Sequence, residues 1–241
     1  MNKKTDILVI GGGPSALVSA ITAKKRYKNK RVTLIRNVKN SPIPCGIPYV
    51  FGSLESSSQN LIPDNPLLDN DIELVIDEVI SINKEKKIAT TKTKETFEYD
   101  KLVIGTGSIP SSVPIEGIKL DGVYEIKKDP EYLTMLKEKV SKAQEVVVIG
   151  GGFIGVEMAD EINKIGKKVT IVEALPHCLV MAFDPEFCSQ IEEKIRKKNI
   201  TILTNSKVAK INGTKKVESV SLAEGKELKA DIVILAIGAN P

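Results

Sequence analysis

Asp6-Ile7-Leu8-Val9-Ile10-Gly11-Gly12-Gly13-Pro14-Ser15-Ala16 carries an apolar, largely β-branched run straight into three glycines. Residues with helical spacing follow, as far as Lys24-Lys25-Arg26. The order this dictates is strand, tight turn, helix, because the apolar run is too short for a buried helix and the glycines break it. Arg31-Val32-Thr33-Leu34-Ile35 supplies the next strand and closes a βαβ unit. The same order returns downstream, with Glu145 to Ile149 as strand and Gly150-Gly151-Gly152 as turn. Phe153 to Ile165 reads as helix ending at Gly166, and Val169 to Val172 as strand, so the chain repeats one architecture.

A turn of this kind has a chemical use. A dinucleotide's pyrophosphate needs close backbone approach and a helix N-terminus whose unpaired N–H groups and dipole face the negative charge. Gly11, Gly13 and Ala16 fit GxGxxA, with Pro14 and Ser15 between them, and Gly150, Gly152 and Gly155 fit GxGxxG around Phe153 and Ile154. Each lies directly between a strand and a helix, which makes the fold class α/β with two Rossmann-like dinucleotide-binding domains. A carboxylate at the end of the second strand accepts hydrogen bonds from ribose hydroxyls, and Glu173 stands there in the second unit. It would repel a 2′-phosphate, and Ala174 and Leu175 offer no basic partner, so NADH is expected over NADPH. In the first unit the matching residue is Arg36, which accepts no hydrogen bond; backbone groups, or its guanidinium stacked on adenine, are the two ways left to hold an adenosine.

Composition narrows the class further. The 241 residues are 41% hydrophobic and 27% charged, which suits a globular chain rather than a disordered one. The net charge of +4 comes from scattered lysines, so nucleic acid is not an expected partner, and with no stretch of eighteen apolar residues neither is a membrane. The N-terminus enters a strand pattern at once, with no room for a signal peptide, and a cytoplasmic location is expected. Three cysteines without a CxxC pair make no disulfide framework and no zinc site. Pro110, Pro114, Gly117 and Gly122 cluster at an expected boundary between domains 1–113 and 114–241. Within the first, Leu74 to Ile76, Val79 to Ile82 and Lys87 to Thr90 read as a small antiparallel β insertion, before a buried strand at Leu102-Val103-Ile104. In the second, Asp129-Pro130-Glu131 and Asp184-Pro185-Glu186 both carry the signature of a helix start, and Ile200 to Leu203 and Asp231 to Ala236 read as strands.

The two units, the segment Tyr99-Asp100-Lys101-Leu102-Val103-Ile104-Gly105-Thr106-Gly107-Ser108, and Ala236-Ile237-Gly238-Ala239-Asn240-Pro241 together resemble the pyridine nucleotide-disulfide oxidoreductases. Gly105 stands where that family usually has alanine. The resemblance implies an FAD/NAD(P)-binding fold, with FAD on the first unit, Thr106 and Gly107 included, and NAD(H) on the second, Gly238 included. Such proteins return to the FAD domain with a strand ending in Gly-Asp and add a C-terminal domain through which they form homodimers. Neither follows Pro241. The chain is therefore expected to be truncated after the NAD domain.

Between the units, the Pro- and Ser-rich stretch 41–66 is too long for a passive connector. Its Ser41-Pro42-Ile43-Pro44-Cys45-Gly46-Ile47-Pro48-Tyr49 lies where the family places its redox thiol. Dithiol members carry CxxxxC there, but the fifth residue after Cys45 is Val50, so the segment resembles the single-cysteine branch of coenzyme A disulfide reductases, NADH oxidases and NADH peroxidases. A thiolate at a helix start is stabilised by the dipole and can cycle through a mixed disulfide or a sulfenic acid. The plainer alternative for Cys45 is a small buried apolar residue. Peroxidase and oxidase members are marked by a histidine in the first turn, where this chain has Pro14, and its one histidine, His177, reads as a surface residue. The leading expectation is an NADH-dependent flavoprotein that reduces coenzyme A disulfide, a persulfide or a similar small disulfide through Cys45. An NADH oxidase passing electrons to oxygen and a non-catalytic nucleotide-binding fragment are the alternatives. Glu157 resembles the family glutamate near the nicotinamide site, Lys24, Lys25 and Arg26 either meet nucleotide phosphates or oppose the helix dipole, and Cys178 and Cys188 read as structural.

Overall fold

The computed structural model describes residues 2–241, whose tertiary contacts fall into two units. The first holds the chain through Pro44, Leu61–Ser108 and Pro241; the second holds Cys45–Asn60 and Ile109–Asn240.

In the first unit β1 (Asn2–Ile10), α1 (Pro14–Arg26) and β2 (Val32–Arg36) form the expected βαβ unit. A short helix α2 (Asn65–Leu68) precedes β3 (Glu73–Ile76), and β4 (Val79–Asn83), β5 (Ile88–Thr91) and β6 (Thr96–Ile104) follow. The sheet order is β3-β2-β1-β6-β5-β4; the pairs joining β3, β2, β1 and β6 are parallel, and the pairs β6–β5 and β5–β4 are antiparallel. Both faces of its centre are covered, so β1 and β2 are continuous apolar runs rather than alternating ones. Ile7, Val9, Val32 and Leu34 pack with Ala16, Ala20 and Leu67; Leu8, Ile10 and Ile35 pack with Ala89, Phe97 and Tyr99. Two expectations change. Glu73–Ile76 pairs parallel with β2 and extends the main sheet, because α2 and the buried Ile72 bring the chain back to that edge. Leu102 to Ile104 is the end of a nine-residue strand, and Ile104 is 62% exposed rather than buried.

The second unit opens with β7 (Ile109–Pro110) and β8 (Val123–Glu125), then α3 (Pro130–Lys142), β9 (Glu145–Ile149), α4 (Phe153–Lys164) and β10 (Lys168–Val172). It continues through α5 (Pro185–Arg196), β11 (Thr201–Leu203), β12 (Val208–Asn212), β13 (Ser219–Leu222), β14 (Glu227–Lys229), β15 (Ile232–Leu235) and β16 (Ala239–Asn240). Its main sheet is parallel in the order β11-β10-β9-β15-β8; β12, β13 and β14 make a second, antiparallel sheet, and β7 pairs with β16. The Asp129 carboxylate caps α3 by accepting the Tyr132 N–H at 2.8 Å, whereas the Asp184 side chain makes no such bond at α5.

The division does not follow the expected boundary at 113/114. Ile115, Ile118 and Leu120 pack on the core around Val208, Val220 and Leu222, which draws the stretch after Ser108 into the second unit. Cys45–Asn60 belongs there too, because Ile47, Val50 and Phe51 are buried among Leu133, Leu136, Met158 and Ile162. Among the described residues no helix is long and apolar enough to cross a membrane.

Candidate functional site

The two glycine turns repeat each other contact for contact. Gly11 has φ +136° and accommodates no side chain, since a Cβ there would lie 2.1 Å from the Gly105 carbonyl oxygen. Gly150 has φ +109°, with the Ala236 carbonyl oxygen 2.4 Å from the equivalent point. Both conformations exclude L side chains at low cost. Gly13 and Gly152, the caps of α1 and α4, have open space where a Cβ would be. That opening at a helix N-terminus, over close-packed backbone, is what a pyrophosphate requires, so both turns fit a dinucleotide. Pro14, Ser15 and Ala16 form the first turn of α1, and Phe153, Ile154 and Gly155 that of α4. Within each unit one side of the helix–strand crossing carries a methyl: Ala16 on the helix faces Gly105 in the first, and Ala236 after the strand faces Gly155 in the second.

Beside each turn stands the residue that closes the second strand. A Cβ on Gly151 would lie 3.1 Å from Glu173 Oε2 and 2.7 Å from Cys178 Sγ. On Gly12 it would lie 3.2 Å from Arg36 Cβ and 2.6 Å from Ser41 Oγ. Glu173 accepts the Gly151 N–H at 2.5 Å and the Leu175 N–H at 2.8 Å. Arg36 is buried and fully engaged: Nε donates to the Val38 carbonyl at 3.0 Å, Nη2 to the Lys39 carbonyl, and both Nη atoms to the Asp64 carboxylate. With 2% of its side chain exposed, the guanidinium has no free face, which removes stacking on adenine as its role. The Ser41 hydroxyl is buried and lacks any hydrogen-bond partner. Thr106 and Gly107, the latter at φ +75°, follow Gly105, whose N–H donates to the Ile10 carbonyl at 2.7 Å.

A cavity of about 1010 Å³ opens over the second turn, lined by Gly150, Gly152, Phe153, Ile154, Glu173 and Gly238. Lys207 lines it too. That cation escapes a reading limited to Ala174 and Leu175, because β11 pairs with β10 and the Ser206 N–H donates to the Glu173 carbonyl at 3.0 Å, bringing the next loop alongside. Glu157 does not line this cavity; it is exposed on α4 beside Pro48, Tyr49 and Lys164, with its carboxyl raised by burial and by the nearby Glu161.

Cys45 is exposed, which overturns the small buried apolar reading. It sits in a three-residue 3-10 turn, Pro44–Gly46, followed by a second at Pro48–Phe51, rather than at the start of an α-helix whose dipole would stabilise a thiolate. The segment is pinned to its unit by Glu161, which accepts the Ser53 hydroxyl at 2.7 Å and the Lys164 ammonium at 2.5 Å, and by Lys137 Nζ, which donates to the Leu54 and Glu55 carbonyls. His177 is half-buried rather than on the surface, with Nδ1 3.4 Å from Glu192 Oε1. Lys24 donates to the Lys30 carbonyl at 3.3 Å, a local contact at the end of α1.

The other two thiols are buried, and burial, then Glu192 and Glu173, push the Cys178 thiol up to about 12. Iodoacetamide at mildly alkaline pH is therefore expected to label Cys45 alone in the folded chain, and all three cysteines in denaturant, as read by intact mass. Rapid labelling of a second thiol in the folded state would contradict this assignment.

Comparison with known proteins gives a match to the family described as pyridine nucleotide-disulphide oxidoreductase, over residues 5–241. An NADH oxidase of Methanocaldococcus jannaschii is 32% identical, over 97% of this chain and 54% of its own length. An NAD(P)H coenzyme A polysulfide/persulfide reductase of Pyrococcus horikoshii is 32% identical, over 100% of this chain and 55% of its own length. The structure of a NAD-dependent persulfide reductase from A. fulgidus superposes with a TM-score of 0.90 at 27% identity, covering 100% of this chain and 46% of that one. The chain thus spans about half the length of these relatives.

Proposed function

Since the chain belongs to the pyridine nucleotide-disulphide oxidoreductase family, we propose that it is the nucleotide-binding portion of an NADH-dependent flavoprotein that reduces small disulfides or persulfides through Cys45. The observation that carries this reading is a single exposed thiol in a chain whose other two are buried. FAD held at the first turn would supply two-electron transfer between NADH and that thiol. The protein's part is to hold and to react. Gly11, Gly13 and α1 present N–H groups to one pyrophosphate, and Gly150, Gly152 and α4 to the other. Glu173 accepts ribose hydroxyls at the second site and opposes a 2′-phosphate. The Cys45 thiolate attacks a substrate disulfide, forming a mixed disulfide and releasing one thiolate. Two electrons and a proton then release the second thiol and restore the Cys45 thiolate.

The protein loaded with FAD and freed of excess is expected to lose its visible flavin absorption on anaerobic addition of NADH, and about tenfold more slowly with NADPH. Lys207 is the cation through which NADPH would still be held, so Lys207→Ala should widen the NADH preference. A protein that keeps no flavin, or whose flavin is untouched by NADH, sinks the proposal. A second reading, with oxygen as the acceptor, is supported by the equal likeness to an NADH oxidase. The two are separated by the fate of activity when Cys45 is replaced.

A further inference from the structure

The internal repeat exposes one residue that the local pattern hides. At the second turn Glu173 is a carboxylate lying against Gly151; at the first turn the equivalent contact with Gly12 is made by Arg36, a group that only donates. Arg36, however, carries a carboxylate of its own. Its Nη1 donates to Asp64 Oδ1 at 2.6 Å and its Nη2 to Asp64 Oδ2 at 2.8 Å, a bidentate pair. The arginine side chain is 2% exposed and the aspartate 32%, so the group facing solvent at the end of β2 is the acid.

We propose that Asp64 is the carboxylate that receives the adenosine ribose hydroxyls of the dinucleotide at the first glycine turn, presented there by Arg36. The proposal rests on the assignment of FAD to that turn. Two carboxylate oxygens offer about four lone-pair directions. Arg36 uses two and leaves one on each oxygen, which suits the paired hydroxyls of a ribose. The guanidinium also cancels the carboxylate's charge, so the pair repels a neighbouring pyrophosphate less than a bare acid would.

The position of Asp64 is set by the same segment that forms the turn's flank. Pro42 bridges to Leu61, and the Ile62 N–H donates to the Ser41 carbonyl at 2.8 Å. Ser41 also stands beside Gly12 with its hydroxyl buried and unpartnered, where Cys178 stands in the second unit. A buried hydroxyl without a protein partner, next to an open helix N-terminus, points independently to a ligand that completes the site.

Flavin binding to apo-protein, read by fluorescence titration, tests this without turnover. Wild type is expected to bind FAD much more tightly than FMN, which has no adenosine. It should bind FAD with a 2′,3′-dideoxyribose in its adenosine at least about tenfold more weakly than FAD itself. Asp64→Asn should lower FAD affinity by about the same factor and leave FMN affinity within about twofold. Equal binding of FAD and the dideoxy analogue by wild type overturns the proposal, whether or not the variant folds. So does an Asp64→Asn protein that loses FAD and FMN in equal measure, since Asp64 would then act on the fold alone. A wild type that binds neither flavin overturns the FAD assignment as well, which separates the two failures.

Discussion

Cys45→Ser is expected to abolish NADH-dependent reduction of a small disulfide or of coenzyme A persulfide, by about 10³-fold or more. Serine has no sulfur to form the mixed disulfide, and its hydroxyl is not ionised at neutral pH to attack in the thiolate's place. No other thiol replaces it. Cys178 and Cys188 are fully buried, and the Cys178 thiol is pushed up to about 12, which leaves almost no thiolate for attack. The substitution is also gentle on the fold, because Cys45 is exposed while the segment's packing comes from Ile47, Val50 and Phe51. Anaerobic NADH consumption with the disulfide, beside oxygen uptake without it, gives the answer. If disulfide reduction survives in the serine variant, the thiol mechanism is wrong. If oxygen uptake survives while disulfide reduction vanishes, the thiol serves the disulfide and oxygen reacts without it.

What could be read in the sequence was whatever depends on neighbours along the chain. The glycine turns declare themselves because the strand, the turn and the helix that need each other are contiguous, as at Ile7–Ala16 and Val146–Gly155. Glu173 was legible for the same reason, standing directly after β10, the strand that follows α4. Arg36 was visible as a departure but not as half of a pair, since Asp64 is 28 residues further on in a stretch without periodicity. Lys207 was hidden because its proximity to Glu173 follows from strand pairing across α5, which leaves no local mark. Ile47, Val50 and Phe51 were apolar on inspection, but nothing local says which of two cores they fill, and they fill the second. The antiparallel strands β12 to β14 are short and partly exposed, so their pattern is weak.

Gly155→Ala is expected to destabilise the second unit by about 2–3 kcal/mol and to weaken NADH binding with it. The added methyl would lie 1.9 Å from the Gly150 carbonyl oxygen and 3.3 Å from the Ala236 Cβ, so α4 must move off β9 and the turn must open. The first unit shows what such an opening needs. There Ala16 occupies the equivalent helix position, and the strand residue facing it is Gly105, where a Cβ would come 3.1 Å from that of Ala16. Each crossing therefore holds one methyl, on the helix in the first unit and on the strand in the second. Moving it should be easier than doubling it: Ala236→Gly added to Gly155→Ala is expected to recover part of the loss, as a non-additive pair. Thermal unfolding reads the effect, the single variant falling by roughly 5–10 °C and the double variant less. The contact with the Gly150 carbonyl remains in both, so full recovery is not expected. A double variant no more stable than Gly155→Ala would show that the crossing is limited by the backbone of the glycine turn alone, and that Gly105 is not what makes room for Ala16.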